Sequence, residues 1–229
     1  MEGDVVMFGQ STQIVCIDRN QLFLFGGSRG AEALPLSIPK EIVSDLEVIN
    51  NSTLSVLIET WVLQQKVTPS QLVFLYLPTM YFEKLFEKTL VGEELDTKIR
   101  DFFESVPFEM LITKVFEREG KKVAVAINRE FFEVLSQVFE RLGFESQAIV
   151  PSSLIGTLYT KTNFDREMAD VVVKDLNTLG ELNMISVSES SATSTGKSNP
   201  RSHPSRLPLL LSIFGAFIIV LIVLFVVKG

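Results

Sequence analysis

The chain has 229 residues, 46% of them hydrophobic, and a net charge of −7 at neutral pH. The four basic residues after Thr193 stand without an acidic one, so the part before them holds 17 basic and 28 acidic residues, a balance of −11. Acidity of this degree excludes non-specific binding to phosphate backbones and hence nucleic acid as a partner, and a single cysteine, Cys16, excludes an internal disulfide.

Met1 to Gln10 contains Glu2 and Asp4 and no sustained apolar run, so it does not read as a secretory signal. Gln13 to Asp18 and Gln21 to Gly26 are short apolar runs either side of Arg19-Asn20, which predicts a hairpin; Glu32 to Ile38 adds a candidate third strand. Leu54, Leu57, Ile58 and Trp61 fall at helical spacing over residues 52–65, and Pro69 stops any continuation. Leu72 to Leu77 is apolar throughout, the pattern of a strand covered on both faces.

Residues 82–88 fit strand or helix. A helix is expected over residues 93–104, with Leu95, Ile99 and Phe102 on one side and Glu93-Glu94 favouring its dipole. Pro107 ends it. Leu111 to Arg118 and Lys121 to Ile127 flank Glu119-Gly120, a second hairpin signal. Residues 130–142 carry Phe131, Val134, Leu135, Val138 and Leu142 as a stripe, closed by Gly143. A strand over residues 144–150 and a helix over residues 165–176, with Met168, Val171 and Val172 inward, complete the series. The 18 Phe sit at core spacings rather than in a ligand box.

Residues 186–206 are rich in Ser, Thr, Pro and Asn without an apolar period, the composition of a disordered tether. From Leu207 to Val227 no residue is charged, and 17 of them are Leu, Ile, Val or Phe. At about 1.5 Å per residue this run spans about 31 Å, the depth of a bilayer's hydrocarbon core. A single transmembrane helix is expected there. Lys197, Arg201 and Arg206 precede it and Lys228 follows, which marks the N-terminal side as cytoplasmic. A single-pass protein of the cytoplasmic (inner) membrane follows, with the lipid bilayer itself as a partner. Ser212, Gly215 and Ala216 are small residues through which the span could pack against a second helix, giving a homo-oligomer or a pair with another subunit.

Little points to chemistry. The chain lacks G-x-x-x-x-G-K-S/T, G-x-S-x-G and H-E-x-x-H, and its one histidine, His203, lies in the tether, far from Cys16. That excludes a Cys–His pair and a zinc site. Gly26-Gly27-Ser28-Arg29-Gly30 follows a strand as a phosphate loop would, but has neither the lysine nor the helix, and reads as a flexible turn. Asp18 reads as a hairpin-turn aspartate and Glu93-Glu94 as a solvated helix start. No catalytic, cofactor or metal residue is assigned.

LVFLYLP at 72–78, EELDTKIRDFFESVPF at 93–108 and VAVAINREFFEVLSQVFERLGFESQAIVPSSLIGTL at 123–158, in this order, resemble the actin-like (ribonuclease H-like) domain of PilM-like proteins of type IV pilus assembly. They are similar as well to the cytoplasmic part of GspL-like proteins of type II secretion. The resemblance covers most of residues 13–160. It implies a partial actin-like α/β domain over residues 1–185, with a small α+β subdomain inserted over residues 79–150. It also implies a non-catalytic adaptor that binds inner-membrane platform subunits and an assembly ATPase, with the insert as contact surface. The actin-like phosphate loop is absent: Arg19-Asn20-Gln21 follows Asp18, with no glycine before Gly26. Unlike GspL-like proteins, the chain is expected to have no domain beyond the membrane. Two other readings stand beside this one: an actin-like ATPase that completes its nucleotide site with another chain, and a tail-anchored binding protein unrelated to pili.

Overall fold

The computed structural model describes residues 11–156 and 163–185. The expected tether over residues 186–206 and the expected span over residues 207–227 lie outside the described residues, and with them Lys197, Arg201, Arg206, Ser212, Gly215, Ala216 and Lys228. Among the described residues no helix is long and apolar enough to cross a membrane.

A mixed five-stranded sheet organises the α/β fold. Its strands are β1 (Gln13–Asp18), β2 (Gln21–Gly26), β3 (Leu34–Ser37), β6 (Gln71–Tyr76) and β10 (Glu145–Pro151), in the order β10-β6-β1-β2-β3. The first three run antiparallel, whereas β6 lies parallel to both β1 and β10. Between β3 and β6 come two short paired strands, β4 (Val43–Ser44) and β5 (Glu47–Val48), and helix α1 (Asn51–Gln64).

Side chains alternate across a strand, so the apolar runs of β1 and β6 must find cover on both faces. Val15, Ile17, Leu72, Phe74 and Tyr76 point to one face, against α1 and α3 (Arg129–Arg141). Ile14, Cys16, Val73 and Leu75 point to the other, against α4 (Arg166–Lys174) through Met168, Ala169 and Val172. Val171, expected inward, is only half-buried.

A second, antiparallel sheet has the order β7-β9-β8: β7 (Phe82–Phe86), β8 (Leu111–Arg118) and β9 (Lys121–Asn128). The ambiguous run at 82–88 is therefore strand: its partner β9 offers a ladder from Lys122 to Ala126. Glu119 and Gly120 turn the β8–β9 hairpin with φ of 54° and 72°, the left-handed pair that a two-residue turn with the strands' twist requires. Helix α2 (Gly92–Ser105) lies on one face of this sheet, over Ala124 and Ala126. The other face joins the main core through Ile112, Phe116, Val123, Val125 and Ile127.

The segment expected as an insert, residues 79–150, divides in two. Residues 82–128 form the separate sheet and α2, while α3 and β10 return to the five-stranded sheet, β10 by pairing with β6. Asn128 marks the join. Its Oδ1 caps α3 by accepting from the backbone N–H of Glu130 (3.0 Å) and Phe131 (3.4 Å), and its Nδ2 donates to the Leu46 carbonyl at 3.0 Å.

Candidate functional site

Open sheets with parallel strands hold ligands beyond the strands' carboxyl ends. Here those ends are Asp18, Tyr76 with Leu77, and Pro151. Asp18 Oδ1 accepts from its neighbour Arg19 N–H and from Thr79 Oγ1, both at 2.7 Å. It pins the first hairpin to the turn after β6, the structural part expected of it. Ser153, just past β10, is held from three sides: its Oγ donates to Glu83 Oε2, its N–H donates to Tyr81 Oη (3.2 Å), and its carbonyl accepts from Arg118 (3.0 Å). Arg118 also lies 3.9 Å from Glu83. Burial raises the Tyr81 hydroxyl above its usual range. This network ties the second sheet, through Glu83 and Arg118, to the end of the first.

The Gly-rich loop is spent in a similar way. Gly27–Arg29 form one 3-10 turn. The Gly26 N–H donates to the Gly30 carbonyl at 2.7 Å, and the Gly27 N–H to the Thr12 carbonyl at 2.9 Å. Gly26 has φ of 86°, and a Cβ there would meet the Thr12 carbonyl oxygen at 3.0 Å. Glycine is needed for close packing of backbone on backbone. The two amides that a phosphate cradle would use are both taken by backbone carbonyls.

Cys16 is fully buried in β1. Burial, and then the charge of Asp18, push its thiol well above the usual range, so it stays protonated, the state of a core residue rather than a nucleophile. Among the described residues no group of three or more His, Cys, Asp or Glu could hold a metal. Glu93 and Glu94 open α2, and Glu94 pairs with Lys98 at 2.9 Å one turn on.

An open site lies on the second sheet. Helix α2 covers β9 and leaves the neighbouring face of β8 bare. The result is a groove of about 710 Å³ with Leu95, Ile99 and Phe103 as one wall and Leu111 and Val115 on the floor. Ala124 stands opposite Val115 in the ladder, and Ala126 opposite Thr113, which keeps the floor low. Asp96, Arg100, Glu104, Glu109 and Lys122 stand around it. Lys122 is taken by Glu117 at 2.9 Å, whose carboxyl it holds below the usual range. Asp96, Glu104 and Glu109 have no ion-pair partner among the described residues, so the rim is left acidic. Of the apolar residues here, the sequence points to Leu95 and Ile99 as one side of a helix and to Leu111 as the start of a strand. The alternation Leu111, Thr113, Val115 against Ile112 and Phe116 signals a strand with two apolar faces, only one of which the main core takes.

No family model and no curated protein matches the chain. Solved structures similar to it include a PilM–PilN type IV pilus biogenesis complex, at 10% sequence identity and a TM-score of 0.44, over 62% of this chain and 47% of that one. Another is the cytoplasmic domain of EpsL, an inner-membrane component of the type II secretion system of Vibrio cholerae. It matches at 9% identity and a TM-score of 0.36, over 63% of this chain and 57% of that one. The chain spans about half the length of these structures.

Proposed function

We propose that this protein is a non-catalytic adaptor of an inner-membrane assembly platform of the type IV pilus or type II secretion kind, anchored by residues 207–227. In this reading it holds another subunit in the groove between α2 and β8. The groove itself carries the proposal: it is the open apolar site on the segment that the sequence resemblance names as the contact surface. An apolar trough beside a helix, with a charged rim, suits a short helical or extended segment of a partner. The bonded amides of Gly26 and Gly27 and the Asp18–Thr79 bond support a scaffold rather than a nucleotide clamp.

The test is co-isolation of the full chain from membranes in mild detergent, with identified platform subunits as the readout. The wild type is expected to retain a pilus or secretion subunit that the variant Ile99→Glu, with a charge in the groove wall, loses. Radiolabelled ATP is offered to the same preparations. Tight magnesium-dependent binding, alone or with the co-isolated subunits, would overturn the adaptor reading in favour of an ATPase shared between chains. Retention of the same subunit by Ile99→Glu would remove the groove as its seat.

A further inference from the structure

The last turn of α2 carries charge of the wrong sign. Carboxylates suit the start of a helix, and cations suit its end, where unpaired carbonyls leave a partial negative charge. Glu93 and Glu94 open α2 as expected, but its last turn has no basic residue and holds Glu104. Glu109 follows shortly after the helix and lines the same groove. Neither carboxylate has an ion-pair partner among the described residues. The bases nearby do not answer them. Lys122 is taken by Glu117, and Lys84 lies over the rings of Phe86 and Phe102 from β7, whereas the groove opens on β8. Arg100 stands one turn from both Asp96 and Glu104, so a single guanidinium faces three carboxylates around the groove.

We infer that the occupant of the groove is a segment of another protein with a lysine or arginine beside an apolar stretch, seated with its cation at the Ser105 end of α2. This rests on the groove being a docking site, and it names what docks. The apolar side chains enter between Leu95, Ile99 and Phe103 on the wall and Leu111 and Val115 on the floor. The cation meets Glu104, Glu109 and the carbonyl end of the helix. Charge selects this occupant against others. A second copy of the chain brings more charge of the same sign, since the part before Thr193 carries −11. An uncharged apolar segment fills the trough but takes water from the carboxylates and gives them nothing in return.

An exposed ion pair contributes little by itself. Here the docked segment shields the rim from water, and the field of the acidic domain adds to the local charge. Rim charges act chiefly on the rate of association and on its dependence on salt. Folding responds in the opposite sense. A lysine at position 104 favours the helix end, so the charge reversal that weakens docking leaves α2 at least as stable. A residue that breaks a local rule without a gain for the fold is the kind found where a partner supplies what is missing.

The test places a photoreactive phenylalanine analogue at Met110, half exposed between Glu109 and Leu111, in the full-length chain made in its own cells. The cross-linked peptide is then sequenced by mass spectrometry. The expected adduct is a segment of another protein with a lysine or arginine next to its apolar residues. Its yield should fall about ten-fold when Glu104→Lys and Glu109→Lys are combined, and by less in the isosteric pair Glu104→Gln and Glu109→Gln. Glu93→Lys, the same change of charge at the far end of α2, should leave the yield unchanged. The lysine pair should unfold in urea no sooner than the wild type. An adduct whose segment has no basic residue, or one formed with a second copy of the chain, would overturn the inference. So would a yield that both pairs leave intact. If Ile99→Glu abolishes the adduct and the charge reversals do not, the groove stands as a docking site and this inference alone falls. No adduct at all would remove the groove as a seat, and the inference with it.

Discussion

The two sheets of this protein use the same kinds of residue to opposite ends. In the five-stranded sheet β1 and β6 are sealed on both faces, and past the end of β10 Ser153 is bonded to Glu83, Tyr81 and Arg118. In the three-stranded sheet only β9 is sealed; α2 is too narrow to cover β8 as well, and an apolar trough stays open. The lesson is that the carboxyl ends of parallel strands, where ligands commonly bind, can be tied up in the protein's own hydrogen bonds. The second sheet carries the unspent surface.

The largest effect that separates the two sheets is expected at Phe74. This ring is fully buried and meets Phe132 and Phe139 edge-on, at 5.4 and 5.9 Å between centroids. Phe74→Ala should cost about 3–5 kcal/mol in urea unfolding, the usual loss for a buried aromatic. Next comes the join between the sheets. Asn128→Ala removes two accepted bonds at the start of α3 and leaves the Leu46 carbonyl without its donor. A loss of about 1–3 kcal/mol is expected, with amide exchange fastest in the first turn of α3. If exchange instead rose evenly through both sheets, Asn128 would not be a local join.

Much of this contrast is legible in the sequence. Both hairpins, the doubly covered strand at 72–77 and the helix stripe at Phe131, Leu135 and Val138 follow from spacing and turn chemistry. The layout of residues 79–150 is not. The mixed apolar and charged run at 82–88 is too short for periodicity to choose between strand and helix, and nothing in the sequence says that residues 144–150 rejoin the strand at 71–76. Pairing across more than 70 residues is a tertiary fact. The candidate site was harder still. The helical stripe of α2 is visible, but a groove exists only because Ala124 and Ala126 sit low beside Val115, which depends on register. The outward face of α1 was in plain view as Thr53, Val56, Thr60 and Leu63. The inward stripe on the same helix masked it.

A smaller effect comes from two groups sealed within the first sheet. Burial holds the Cys16 thiol and the Tyr76 hydroxyl protonated above their ordinary ranges. In each case the folded state keeps its proton where the unfolded chain gives it up. The stability each contributes is thus complete below its ordinary pKa and is lost as pH rises beyond it. Lys114 acts in the reverse sense, since burial lowers its pKa in the folded state. Its cost is relieved as pH climbs toward the ordinary lysine value. From about pH 8 to 9.5 the thiol dominates, and the wild type should lose up to about 1.4 kcal/mol per pH unit. Cys16→Ala should flatten that slope, whatever it does to absolute stability. Tyr76 Oη has no partner among the described residues, so Tyr76→Phe should stabilise the protein by about 1 kcal/mol at neutral pH. A loss there would mean that the hydroxyl is solvated or bonded after all.

The smallest effect on folding is expected on the floor of the groove. Val115 is 38% exposed and stands opposite a small residue, Ala124. Val115→Lys should change stability by no more than about 0.5 kcal/mol, as ordinary surface replacements do, because a lysine stem can lie along the trough with its ammonium at the rim. Yet the same change fills the space a partner needs. If the open face of the second sheet is where this protein does its work, Val115→Lys should lose the subunit retained by the wild type while unfolding at the same urea concentration. Phe74→Ala, destabilised several-fold more, should still retain it wherever enough of the protein is folded. The reverse pattern, retention by Val115→Lys and loss only in proportion to unfolding, would show that the groove is a packing fault of a narrow helix on a wide sheet.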